Sequence, residues 1–257
     1  AAGKAGFLEP LQEKRMQKHC VAEALGTFLY IYMSEASAVN SDTQGMVTNA
    51  LGNGFTLAVL IYCFSGENGS GAKLNPAVST GLRLTGRLDG TTYMWELISQ
   101  TVGAILGAIC LRITIPGVDV THQFVAMGGV SSGHPLSTFI WEFIMTAFVV
   151  YVVFATQVDK QTRHGSDLKI TLPAPFAPLA VGLAVACGAF ASVPYTGGAM
   201  NPLRALAPAL VFWNWKNIWV YVLATMLGGV AGAVVYENIF LEHQPPEDEG
   251  EANEASV

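Results

Sequence analysis

The sequence predicts an all-α membrane protein of six transmembrane helices plus two re-entrant half-helices, built as an inverted repeat. Three observations carry this. Hydrophobic residues make up 51% of the chain and charged residues only 12%, against about 25% charged in an ordinary soluble domain. Six runs nearly free of Asp, Glu, Lys and Arg, at about 21–39, 47–65, 93–111, 137–158, 174–192 and 218–240, have the length that crosses a hydrocarbon core as a helix. Two Asn-Pro steps, Asn75-Pro76-Ala77 and Asn201-Pro202-Leu203, fall one in each half.

The first run opens on Ala22-Glu23-Ala24-Leu25-Gly26-Thr27-Phe28. None of the runs alternates like a barrel strand, and backbone in lipid must pair with itself, so all six are expected as helices. After the second run, Gly69-Ser70-Gly71-Ala72 allows tight, irregular backbone. Asn is a strong N-cap and Pro is favoured at the first helical position, so Asn75-Pro76 starts a half-helix over 76–84. The third run follows. The fourth opens on Trp141-Glu142-Phe143-Ile144-Met145-Thr146-Ala147-Phe148, much as the first does. The fifth leads to Thr196-Gly197-Gly198-Ala199 and a second half-helix over 202–212, and the sixth closes the series.

Glu23 precedes Asn75 by 52 residues and Glu142 precedes Asn201 by 59, so each half carries a Glu, two spans and an Asn-Pro step in one order. Three spans per half force the halves into opposite orientations, with the half-helices entering from opposite faces and meeting at the midplane. The expected organisation is an N-terminal segment 1–19, a membrane domain 20–241 with repeats at about 20–115 and 137–241, and a disordered acidic tail 242–257.

Ten of the thirteen basic residues fall on one side of the spans: Lys4, Lys14, Arg15, Lys18, Lys73, Arg83, Arg87, Lys160, Arg163 and Lys169. The positive-inside rule makes that side, and both termini, cytoplasmic. About twenty polar residues and no Ala-x-Ala-like site precede the first span, which argues against a cleaved signal. The net charge of −6 is mostly that of the tail. Cys20, Cys63, Cys110 and Cys187 have no paired spacing and the five histidines are scattered. This composition points to no metal, cofactor or nucleic-acid partner.

The residues at the centre dictate a chemistry. An Asn that caps its own helix turns its oxygen to backbone N–H groups and leaves its NH₂ to face inward. Asn75 and Asn201 are then paired donors. A water between them offers its oxygen to both, and that orientation breaks a continuous hydrogen-bonded wire. Two helix N-termini, each carrying roughly half a positive charge, disfavour cations at the same place. Backbone carbonyls ahead of each Asn are expected to line the lumen.

These features resemble the major intrinsic protein family, the aquaporins and aquaglyceroporins. The resemblance spans about Glu23 to Tyr236 and rests on Ser70-Gly71-Ala72-Lys73-Leu74-Asn75-Pro76-Ala77-Val78, Gly197-Gly198-Ala199-Met200-Asn201-Pro202-Leu203-Arg204, the six spans, Glu23 and Glu142. It implies a right-handed bundle, a homotetramer with one pore per subunit, and passage of water and small uncharged solutes. It places Phe55, Ala189, Gly198 and Arg204 on the narrow filter near the extracellular mouth. Arg204 would bind solute oxygens and repel cations. Family water channels usually carry His where Ala189 stands, and typical glycerol channels pair two aromatics with Arg, so a filter with Phe55 as its sole aromatic is expected to be wide. Ala205 after Arg204, the short loops around 114–137 and 212–218, and the stretch 217–236 resemble the orthodox and plant vacuolar-type branch.

Some residues leave two readings open. Leu203 stands where the family has Ala, and either packs against a neighbouring span or narrows the pore, packing being preferred. Lys73 stands where many relatives have His, and is read as a positive-inside loop lysine before a vestibule charge. Glu23 and Glu142 are read as braces that accept loop N–H bonds rather than as proton relays. Glu35 faces either the mouth or solvent. Ser79, Thr80, Thr162 and Ser166 are candidate phosphorylation positions with a plain loop role preferred. Gly198 lacks the thiol that mercury attacks in many water channels. A secondary transporter would need a coupling-ion site near the helix breaks, a non-conducting scaffold would need a blocked pore, and no nucleophile, base and orienter stand together as an enzyme requires.

Overall fold

The computed structural model describes residues 11, 13–65, 72–115, 134–158 and 176–241. Lys4, Lys160, Thr162, Arg163, Ser166, Lys169, the loop 116–133 and the acidic tail from 242 lie outside the described residues. The helices are α1 (Lys14–Gln44), α2 (Met46–Phe64), the short α3 (Pro76–Leu84), α4 (Gly90–Thr114), α5 (Pro135–Val153), α6 (Ala177–Thr196), the short α7 (Pro202–Phe212) and α8 (Ile218–Val235). α5 and α8 each end in a π-helical turn, Phe154–Val158 and Tyr236–Phe240. No strand occurs among the described residues.

By length and composition α2, α4, α5, α6 and α8 suffice to cross a membrane. α1 is the longest helix, at 31 residues. It is the least apolar of the six expected spans because Glu23, Thr27, Ser34 and Glu35 run along its buried side. Gly45 alone separates α1 from α2, at φ +86, a backbone that an L side chain rarely adopts.

The packing repeats between the halves. α1 lies against α4 as α5 lies against α8, and α2 meets α6 between them. Each half-helix crosses to the other half, α3 against α8 and α7 against α4. Small residues allow these approaches. Gly54 and Gly182 face each other's carbonyl across α2 and α6, and a Cβ on Gly103 or Gly228 would meet the carbonyl of Ala24 or Phe143.

Burial is inverted relative to a soluble protein. Glu23, Glu35, Asn53, Glu96, Gln100, Glu142 and Arg204 are buried, whereas Val59, Leu106, Ile113, Ile144, Phe190, Trp219 and Leu227 point outward. An apolar exterior of this extent fits a lipid surround. The polar interior is therefore the part that carries function.

Candidate functional site

The two Asn-Pro steps meet inside the bundle. Asn75 Oδ1 accepts from the Ala77 amide at 2.9 Å, and Asn201 Oδ1 from the Leu203 amide at 3.0 Å, so each caps its own half-helix. Pro76 and Pro202 occupy the first helical positions. Each amide then crosses to the opposite loop: Asn75 Nδ2 donates to the Met200 carbonyl and Asn201 Nδ2 to the Leu74 carbonyl, both at 2.9 Å. The exchange is reciprocal, as a two-fold axis requires. One Nδ2–H of each Asn is spent in this way, a detail the sequence did not reveal.

Buried carboxylates hold the approach segments. Glu23 accepts from the amides of Lys73 and Leu74, each at 2.9 Å, and from Gln100 Nε2 at 2.7 Å. Glu142 accepts from the amides of Ala199 and Met200 at 3.0 and 2.8 Å, and from Thr196 Oγ1 at 2.6 Å. All of these donors but Gln100, which stands on α4, are on or beside a loop. Ala72, Leu74 and Met200 have φ near +50, a conformation that costs about 1–3 kcal/mol each for a residue with a Cβ. The braces hold that backbone in place.

A narrow cavity is lined by Tyr30, Lys73, Asn75, Gln157 and Met200. Leu57, Ile61, Val78, Val149, Val153, Val181 and Val185 form its apolar wall. Water beside such a wall finds few partners and is weakly held. At the Lys73 end, Nζ lies 2.6 Å from Glu96 Oε1, with His19 Nε2 at 2.9 Å from the same oxygen, and Ser79 Oγ donates to Glu96 Oε2 at 2.7 Å. Lys73 is thus tied into a buried polar cluster, which corrects its reading as a plain loop lysine. Ser79 is fully buried and Thr80 nearly so, which removes both as surface modification positions.

Arg204 is fully buried at the other end of the site. Its Nε lies 3.1 Å from Glu35 Oε1, and its Nη1 donates to the Gly198 carbonyl at 2.6 Å and, at 3.4 Å, to that of Ala199. The orientation of the Asn53 amide that satisfies its neighbours turns Oδ1 to Nη1 and Nη2 of Arg204, the latter at 3.1 Å, and Nδ2 to Tyr30 Oη at 2.8 Å. Ala189 is buried, and its Cα faces Gly198. Glu35, left open between mouth and solvent, is instead buried against the guanidinium.

Phe55 does not join this group. It is 49% exposed and shares the outward stripe of α2 with Val59 and Tyr62. Two residues along a helix turn it by about 200°, so Asn53 faces inward where Phe55 was expected. Counting back from Asn75 crosses the residues between α2 and α3, whose number does not fix the register of α2. The useful signal was Asn49 and Asn53, four apart, on the side of α2 opposite Phe55. Leu203 is buried among Ile31, Ala104, Ala108 and Ala207, in the packing between half-helix and spans, and Ala77 is buried in α3.

Two inverted half-bundles, each sending a capped half-helix to a shared polar centre inside an apolar exterior, define a pore-forming membrane protein. The chain belongs to the major intrinsic protein family: the sequence model described as "Major intrinsic protein" matches residues 10–236. It is 34% identical over 242 residues to the probable aquaporin TIP3-2 of Arabidopsis thaliana, covering 88% of this chain and 85% of the relative. It is 31% identical over 245 residues to aquaporin TIP1-2 of Musa acuminata, covering 90% and 92%. The X-ray structure of the aquaglyceroporin from Plasmodium falciparum shares the fold, with a TM-score of 0.67 at 21% identity over 87% of this chain and 96% of that one.

Proposed function

We propose that the protein is a passive channel that conducts water down osmotic gradients, passes some small neutral solutes and excludes protons and ions. The reciprocal Asn75 and Asn201 pair carries this reading. A water at the centre accepts the remaining N–H of each Asn with its oxygen, so both its hydrogens point away from the centre. Its neighbours are then oriented oppositely on the two sides, and a proton has no continuous wire to follow. The positive ends of α3 and α7 meet at that point and add a barrier to cations.

Asn53, Ala189, Gly198 and Arg204 form the proposed filter. Ala189 and Gly198 add little bulk, and Asn53 supplies a small amide in place of an aromatic ring, so the opening suits urea or glycerol as well as water. We place both termini in the cytoplasm, with Lys14, Arg15, Lys18, Arg83 and Arg87 on the positive side, and read the assembly as a homotetramer with one pore in each subunit.

Purified protein in liposomes, followed by stopped-flow light scattering, tests the reading. Water shrinkage is expected to exceed that of protein-free vesicles, and urea or glycerol entry is expected in the wild type and to fall in Ala189→His. Shrinkage no faster than in protein-free vesicles would refute conduction.

A further inference from the structure

We infer that Glu35 sets the solute range of the channel by holding Arg204 out of the lumen. This rests on the proposed filter. Arg204 is tied from three directions: by Glu35 on α1, by Asn53 on α2, and by the Gly198 and Ala199 carbonyls of the segment before α7. These contacts use Nε–H, both Nη1–H and one Nη2–H, four of the five donors of a guanidinium. Glu35 is the carboxylate in this set, and it is as fully buried as its partner. The pair is neutral, so the filter presents a fixed polar edge without a mobile cation.

The consequence of removing the carboxylate follows from solvation. A guanidinium without a counter-charge is costly in a dry interior, and its long stem lets it follow water. On the proposed filter the nearest water is in the lumen, on the side of Ala189 and Gly198. Arg204 would then narrow the opening, and the larger solutes would be excluded first. Water, the smallest permeant, would be affected least. Glu35 is therefore a positioning residue that acts through Arg204.

Liposome fluxes of water and urea are compared for wild type, Glu35→Gln, Glu35→Asp and the double variant Glu35→Gln with Arg204→Gln. The urea-to-water ratio is expected to fall at least five-fold in Glu35→Gln, to recover to within about two-fold of wild type in Glu35→Asp, and to match or exceed wild type in the double variant. The double variant removes both charges of the pair, so it keeps the comparison open where Glu35→Gln alone fails to fold. Arginine modification by phenylglyoxal, read at Arg204 by mass spectrometry, reports position without reference to transport: protection is expected in wild type and faster labelling in Glu35→Gln. If wild type carries no water but Glu35→Gln exposes Arg204, the channel reading fails while the positioning stands. An unchanged ratio across all variants, or water and urea lost in proportion with Arg204 still protected, overturns the inference.

Discussion

Replacing Glu142 with Leu would leave the amides of Ala199 and Met200 without their acceptor in a buried site, while the Thr196 hydroxyl could still donate to the Ser192 carbonyl. A buried donor left unsatisfied costs about 1–3 kcal/mol, so the two together cost about 2–6 kcal/mol, against about 5–15 kcal/mol for the whole stability of a typical domain. Met200 sits at φ +50, and without the brace that strain can relax by moving the loop and, with it, Asn201. Gln at the same position keeps one acceptor oxygen and leaves one amide facing its NH₂, which costs about 1–3 kcal/mol by the same reasoning. The expected order of stability is wild type, then Glu142→Gln, then Glu142→Leu. Thermal unfolding in detergent measures it, with water flux in liposomes as a second readout. If Glu142→Leu stays within about 1 kcal/mol of wild type and keeps full flux, the loop is held by its Asn contacts alone and the bracing argument is wrong.

Leu203→Ala is expected to destabilise by about 2–5 kcal/mol through the cavity it opens among Ile31, Ala104 and Ala108, while the urea-to-water flux ratio stays at the wild-type value; a raised ratio would return Leu203 to the pore. Lys73→Met breaks an ion pair whose Glu96 partner is fully buried, and a loss of about 2 kcal/mol in thermal unfolding is expected, below the roughly 3–5 kcal/mol of a fully buried pair because Lys73 is partly exposed. Asp89 caps α4, and hydrogen bonds from Thr92 and then Thr91 hold its carboxyl below the usual range. Its folded pKa is depressed, so its stabilisation is present above the unfolded value near 4 and fades as pH falls through the lower folded value. Asp89→Ala should lose about 1 kcal/mol at pH 7 and differ less from wild type when both are unfolded near pH 3.

Local chemistry made much of the fold legible in advance. Asn75-Pro76 and Asn201-Pro202 announced their half-helices through capping and fixed φ, and the buried Glu of each half announced a brace because a carboxylate in lipid needs donors. Contacts between distant segments were harder to read. Phe55 was placed by counting back across the connection between α2 and α3, whose residue count does not fix which side of α2 faces inward, and that count passed over Asn53. Glu35 and Arg204 lie 169 positions apart, and nothing local to either specifies the other. Lys73 looked like an ordinary loop charge because Glu96, its partner, stands on α4 in the middle of an apolar run. Glu96 was itself the available signal, an acidic residue inside a span.

The channel account stands on water crossing where protons do not. Water shrinkage and proton entry should be measured in one liposome preparation, by light scattering and by an entrapped pH-sensitive dye, under matched osmotic and pH gradients. Water permeability well above that of protein-free vesicles, with proton entry no faster than in those vesicles, is the predicted result. Proton entry that rises in step with water flux, or water flux that stays at the protein-free level, would contradict it.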